Sequence, residues 1–368
     1  MTTDSTALLD RYAHAVLGVF GRPALVLDRG EGCWVWDVDG KRYLLGGIAV
    51  NALGHNHPAV VSAVSKQAGE ALHVSNFFTT RAQIELAERL LRLAQAPEGS
   101  AVFFTNSGTE SIEAAIKLAR RTGRPGLVAL EGSFHGRSTG ALALTHKAAY
   151  REPFAPLLPG VAFVPPGDID ALRAAVDEST GAVVLEPIQG EAGVRPLDTA
   201  YLEAAREITR AAGALLVVDE IQTGIGRTGR WFDHQRADIV PDAMTLAKGL
   251  GGGVPIGALV TFGPENSGRL SPGQHGTTFG GNPLAAATAL AVLETIETDG
   301  LLATAEAVGE HFAGRVLALG HPLVDHVRGS GLLRAIALTA PVSAIVADSA
   351  RDDLVFLAAH DGDPFARY

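Results

Sequence analysis

The chain holds one cysteine, Cys33, among 368 residues. A lone thiol forms neither an intrachain disulfide nor a Cys-based zinc cluster, so a reducing compartment, the cytoplasm, is expected. Apolar runs are short and broken by Gly, Pro or charge, well under the ~20 residues of a membrane-spanning helix, so no membrane partner is expected. Residues 1–10 carry Asp4 and Asp10 and no basic stretch leading into an apolar one, so no secretory signal is read there. Positive charge is not in excess: 30 Lys+Arg face 40 Asp+Glu, a net charge of −10. A nucleic-acid partner would want a basic face, and none is advertised. Low-complexity repeats and linker tracts are missing too.

What remains is a globular balance of 47% apolar and 19% charged residues, with ample material for a core. At roughly 150 residues per domain, the length suggests two domains, or a large one with an appendage. Glycine is abundant at 43 residues, against a usual level of about 7%. These glycines fall in tight turns between strand-like and helix-like segments.

The first fifty residues read as a short helix followed by strands, with CWVWDV (33–38), an Asp39-Gly40 turn, and a return strand over 41–45. Helical periodicity over 83–94 places Ile84, Leu86, Leu90, Leu91 and Leu93 on one broad face. Seven apolar runs follow: 101–104, 127–130, 161–164, 182–185, 214–218, 243–247 and 256–262. Amphipathic stretches at 110–121 and 198–212 lie between some of them. Continuous apolar strands separated by helices predict a mostly parallel sheet covered on both faces, an α/β architecture. After Pro283 a helical stretch runs to about Leu319, and a Gly-rich strand signal spans 327–338. The expected division is a large α/β domain over 50–275, with a smaller α+β domain assembled from 1–49 and 276–368.

Ligands of such sheets bind beyond the carboxyl ends of the strands. After 101–104 comes Thr105-Asn106-Ser107-Gly108-Thr109-Glu110, small residues opening a helix. That is a phosphate-binding arrangement, or a plain N-cap. Asp219 and Glu220 end the run at 214–218, where an acid serves as an ion-pair member, a cap or a functional carboxylate. Lys248 ends the run at 243–247 and is followed by glycines that cannot shield it. It either snorkels to water or serves chemistry. Cradle, carboxylate and lysine together are the minimum set for pyridoxal phosphate: the amine forms a Schiff base, the carboxylate keeps the pyridine nitrogen protonated, and the cradle neutralises the phosphate.

Competing motifs fail. Gly224-Ile225-Gly226-Arg227-Thr228-Gly229 matches G-x-G-x-x-G, yet no helical periodicity follows it, as a dinucleotide site requires. His55 and His57 precede a helix without further ligands, so no metal site is expected. Nucleophile-elbow and Walker-type runs do not occur.

Seven segments in order resemble the class III, fold-type I pyridoxal-phosphate aminotransferases. They are GGIAVNALGHNHP (46–58), NSGTESIEAAIKLAR (106–120), SFHGRSTGALALT (133–145), LEPIQGEAGVRP (185–196), VVDEIQTGIGRTG (217–229), TLAKGLGGGVPIGA (245–258) and HGTTFGGNP (275–283). The resemblance implies that Lys248 is the Schiff-base lysine and proton shuttle, Asp219 the pyridinium partner, and Gln222 the neighbour of the phenolic oxygen. It gives Gly108 and Thr109 to the phosphate loop and Phe134 to the ring face. Arg137 would hold a substrate carboxylate, although alone it reads as a surface ion pair and Phe134 as core packing. Thr277 would touch substrate, and Thr278 the phosphate held by a second copy, which implies a homodimer with shared sites. Glu191 would be a switch acid, masking an arginine for one amino donor and swinging away for the other.

The implied reaction moves the ω-amino group of N-acetylornithine to 2-oxoglutarate, a step of arginine biosynthesis. Enzymes acting on succinylornithine, succinyl-diaminopimelate, ornithine or 4-aminobutyrate carry the same motifs. The match fades after about Ala340, and neither Arg351 nor Arg367 sits in matching context. A shortened, cofactor-binding but catalytically impaired chain is therefore the rival reading.

Overall fold

The computed structural model describes residues 4–340 and 354–355. Three strands, β1 (Leu27–Glu31), β2 (Trp34–Asp37) and β3 (Arg42–Leu45), form an antiparallel N-terminal sheet. Next in the chain come β4 (Ala101–Thr105), β5 (Gly126–Leu130), β6 (Val161–Val164) and β7 (Thr180–Leu185). The short pair β8 (Ile188–Gln189) and β9 (Arg195–Pro196) precedes β10 (Leu215–Asp219), β11 (Ala243–Leu246) and β12 (Gly257–Thr261). A hairpin, β13 (Val324–Ser330) and β14 (Leu333–Leu338), follows, and β15 (Leu354–Val355) pairs in parallel with β3.

The seven apolar runs become one sheet in the order β4-β12-β11-β10-β7-β5-β6. Only β12 runs against its neighbours, and β10, β11, β7, β5 and β6 pair in parallel. Strand period 2 divides the apolar side chains between two cores. Leu127, Ala129, Val184, Val217 and Leu259 pack with Ile112, Ala115 and Leu118 of the helix Gly108–Arg120. Val128, Leu130, Val183, Leu185, Leu216 and Val218 pack with Tyr201, Leu202, Ala205 and Ile208 of the helix Thr199–Ala212. With both faces covered, the strands need no polar alternation, which is why they read as continuous apolar runs.

A third core joins the helices Arg81–Leu93 and Pro283–Thr298 to Phe104, Met244, Leu246 and Val260. Here the sequence reading needs correction. Leu86, Leu90 and Leu93 are buried and Leu91 packs half-buried against the same core, but Ile84 is 47% exposed. At 100° per residue Ile84 lies far round the helix from Leu86, Leu90 and Leu93, so it falls outside the apolar face.

The helical stretch after Pro283 is two helices, Pro283–Thr298 and Leu301–Ala318, divided at Gly300 in the left-handed region. The strand signal at 327–338 is likewise two strands of one hairpin. His57 caps the helix Pro58–Glu70 by accepting from the Ala59 N–H, so the histidine pair belongs to a helix start. Among the described residues no helix is long and apolar enough to cross a membrane, and no group of three His, Cys, Asp or Glu is placed to hold a metal.

Candidate active site

A cleft of about 410 Å³ opens along the carboxyl edge of the sheet. Asn106–Thr109 enter it from the end of β4, Phe134–Arg137 from the segment after β5, and Glu186 from the end of β7. Asp219, Ile221 and Gln222 come from the end of β10, Ala247 and Lys248 from the end of β11, and 253–256 from the lead into β12. Parallel strands deliver all their carboxyl ends to one edge, so residues far apart in sequence converge there.

The helix Gly108–Arg120 starts at the cleft wall. Ser107 caps it by accepting from the Glu110 N–H. The first N–H groups of a helix have no partner within it, and they carry the positive end of its dipole. The Gly108 and Thr109 backbones stand at that positive end. The Thr109 hydroxyl is engaged elsewhere: it accepts from the Ser138 N–H at 3.1 Å and lies 2.5 Å from Ser138 Oγ. Glu113 completes this tie, accepting from Ser138 Oγ (2.6 Å) and from the N–H groups of Gly140 (2.9 Å) and Ala141 (3.1 Å). The loop bearing Arg137 is thus fastened to that helix.

Asp219 is buried and anchored, with two bonds at Oδ1 and one at Oδ2. It accepts from the Ile221 N–H (3.1 Å) and Thr245 Oγ1 (3.0 Å), and pairs with His135 Nδ1 (2.7 Å). These three contacts fix the orientation of the carboxylate. The other nitrogen of His135, Nε2, is buried without a partner among the described residues.

Glu186 is buried differently. It receives a single long bond from the Phe134 N–H at 3.5 Å. Burial first, and the nearby Asp219 charge second, hold its carboxyl well above the ordinary 4.5. Lys248 is shifted the other way: burial lowers its proton affinity, against the opposing charges of Glu191, Asp219 and Glu186. Its backbone sits at φ +38°, a left-handed conformation unusual for a side-chain-bearing residue and common where function fixes the backbone.

Arg137 is exposed at the rim, its Cζ 3.5 Å from the centre of the Tyr150 ring and 5.6 Å from that of Phe134. The cleft lining therefore brings together Gly108, Thr109, Phe134, Arg137, Asp219, Gln222 and Lys248. Glu191, Thr277 and Thr278 are not in that lining. Thr277 is tied to the rim, its Oγ1 accepting from Asn106 Nδ2 at 3.0 Å, while Thr278 is exposed.

Two cleft residues escaped the sequence reading. His135 stands between Phe134 and Arg137 in the same segment, and that position was its signal. Glu186 is an acid directly after a continuous apolar strand, the very pattern that singled out Asp219. The expected G-x-G-x-x-G failure holds, since only a short 3₁₀ turn at Asp233–Ala237 follows that run.

Comparison with known proteins places this geometry. The family description Aminotransferase class-III matches residues 20–364. That match runs past Ala340, beyond the point where the sequence resemblance fades; Arg351 and Arg367 lie outside the described residues. The chain is 55% identical to the acetylornithine aminotransferase of Streptomyces coelicolor over 348 residues, 94% of this chain and 86% of that one. It is 53% identical to that of Mycobacterium tuberculosis, over 95% of this chain and 88% of the relative. Among solved structures, an ornithine aminotransferase from Toxoplasma gondii superposes with a TM-score of 0.89 at 30% identity, covering 96% of this chain and 87% of that one. An acetylornithine aminotransferase from Elizabethkingia anophelis gives 0.84 at 33% identity, with 96% and 91% covered.

Proposed function

The chain belongs to the class III aminotransferases, and from that premise we propose that it moves the ω-amino group of N-acetylornithine to 2-oxoglutarate, giving N-acetylglutamate 5-semialdehyde and glutamate. The observation that carries this reading is the convergence of an anion-binding helix end, an anchored carboxylate and a buried lysine on one cleft, in a chain over half identical to acetylornithine aminotransferases. The donor set suits pyridoxal phosphate, which when bound supplies an electron-withdrawing ring that carries the amino group between substrates.

In this reading the N–H groups of Gly108 and Thr109 take the phosphate. Asp219, oriented by its three contacts, would accept from the ring nitrogen, and Phe134 would cover one ring face. Gln222 faces the phenolic oxygen. Burial of Lys248 lowers its hold on a proton, so its amine is available as a base and moves a proton at the carbon that bears the substrate nitrogen. Arg137 offers a planar fork to a substrate carboxylate. Glu191 alternates between masking and releasing a second carboxylate site. Residues 50–275 would form the cofactor-binding body, with the described parts of 1–49 and 276–368 forming the smaller one.

A homodimer belongs to the same proposal, with Thr278 serving the partner's phosphate and Thr277 the substrate. Supporting it, Phe77 is 94% and Phe279 58% exposed, and Asn76, beside Phe77, donates to the Thr277 carbonyl, which puts apolar side chains next to the threonine loop.

Free ornithine is the second reading, favoured by the likeness to the T. gondii ornithine aminotransferase fold. Steady-state kcat/KM on the two donors decides. The expected result is a preference for the acetylated donor of about 10-fold or more, the scale of one net hydrogen bond; a preference for free ornithine overturns the proposal.

A further inference from the structure

The hairpin β13–β14 contributes nothing to the cleft lining, yet it grips two loops that lead into it. Ser330 Oγ donates to the Thr228 carbonyl at 3.1 Å and the Leu332 N–H to the Arg227 carbonyl at 2.9 Å, both in the loop that follows Gln222. Arg328 Nε donates to the Gly193 carbonyl at 2.5 Å, in the turn that carries Glu191.

That turn is contorted. Gly193 has φ +89° and Val194 φ +54°, and a β-branched residue in the left-handed region is a backbone outlier. Within the turn, the N–H groups of Gly193 and Val194 both reach the Gly190 carbonyl at 3.1 Å. Such backbone persists only where its surroundings over-determine it, and the hairpin supplies the surroundings. Val194 is buried against Ile188 and Leu333. Gly329, at φ +110°, makes room for it: a Cβ there would stand 2.9 Å from Val194 Cγ1. A Cβ on Gly193 would stand 2.5 Å from Arg328 Nη2, so the guanidinium sits directly on the turn's backbone.

We propose that Arg328 is a positioning residue that fixes the Glu191 turn, and thereby sets the enzyme's discrimination between its acylated ω-amine donor and its dicarboxylate co-substrate. This rests on the Glu191 reading above. A loosened turn leaves the acid out of its masking position, so Arg328→Gln should behave as a partial Glu191→Gln.

The test uses the cofactor-loaded, full-length enzyme and follows each half-reaction separately, with N-acetylornithine or with glutamate. The ratio of kcat/KM for N-acetylornithine over that for glutamate is expected to fall about tenfold in Arg328→Gln, the scale of a modest misplacement of a functional group. The double variant with Glu191→Gln should fall no further than Glu191→Gln alone, and Arg328→Lys, which keeps a donor, should recover most of the ratio. Amide exchange at Gly193 and Val194, read without substrate, should quicken in Arg328→Gln. Leu333→Ala, which unpacks Val194 without removing charge, should repeat the fall, and it decides the matter should Arg328→Gln not fold. General destabilisation lowers both half-reactions together and leaves the ratio intact. An unchanged ratio in Arg328→Gln or Leu333→Ala, beside a lowered one in Glu191→Gln, overturns this inference and spares the Glu191 reading. An unchanged ratio in Glu191→Gln overturns both.

Discussion

Asp219 and Glu220 are consecutive acids at the end of one strand, both buried, and they serve opposite sides of the sheet. Strand alternation continues the Leu215–Val217 side with Asp219, toward the cleft, and the Leu216–Val218 side with Glu220, away from it. Behind the sheet, Glu220 is consumed by the fold. It accepts from Thr223 Oγ1, from the N–H groups of Asp233 (3.0 Å) and His234 (2.8 Å), and pairs with His234 Nδ1 at 3.0 Å. Burial pushes its carboxyl up, but the bonds and charge of His234, with Thr223, more than offset this and leave it below its ordinary value. In front, Asp219 is anchored and still lines the cleft, beside a histidine nitrogen and a glutamate with little or no hydrogen bonding of their own. A carboxylate saturated by its own chain stabilises; one that keeps a face on a cavity does chemistry.

The front side carries the largest expected effect. Lys248→Ala should lower turnover by roughly 10³-fold or more, the joint loss of nucleophile and proton carrier. The visible absorbance of the cofactor-loaded enzyme should change with it while the unfolding midpoint hardly moves. An unchanged spectrum would put the reactive amine elsewhere.

Next come the two acids themselves. Asp219→Asn should weaken cofactor binding to the apo-enzyme by roughly 10- to 100-fold, the value of a charge-assisted bond, and it also loosens the buried contact with His135. Glu220→Gln should act on stability alone. It should cost about 3 kcal/mol in denaturant unfolding by breaking a buried pair, and leave cofactor affinity per folded molecule intact. Measured in one pair of titrations, a swapped pattern would break the front-and-back distinction.

The smallest effects sharpen it through pH. Glu220 has a lowered folded-state pKa, so its stabilisation is present above the unfolded value of 4.5 and is lost as pH falls through the folded one. The stability gap between wild type and Glu220→Gln should therefore narrow in acid. Glu186 is raised, so the folded state keeps a proton that the unfolded chain gives up near 4.5. Wild type should thus lose stability relative to Glu186→Gln as pH rises above 4.5, by at most about 1.4 kcal/mol per pH unit. Thermal unfolding of both variants across acid to neutral pH reads the two slopes, and equal signs would refute the assignment of one acid as ionised and the other as protonated.

Much of the sheet was legible before any coordinates. Each strand of the central sheet coincides with an apolar run, because burial on both faces removes every polar position from the pattern. The strand-end rule then led from those runs to Asp219 and Lys248. Helix faces were less readable: Ile84 belongs to the apolar composition of its helix, but not to the face packed against the core. Gly300 shows the same limit, since a single glycine inside an Ala-rich stretch does not announce that it will take a left-handed turn and divide the helix.

The order of residues along the chain determined which chemical groups stand at strand ends and helix starts, because local periodicity and turn chemistry act over a few residues. It could not determine which groups meet. His135 pairs with Asp219 across 84 residues, and Arg328 reaches Gly193 across 135. Those meetings depend on the sheet order β4-β12-β11-β10-β7-β5-β6 and on a hairpin folded back over the loops, which only the packed molecule decides. A hydrogen bond is satisfied by distance and direction, and neither is written in the spacing of two residues until the strands between them have taken their places.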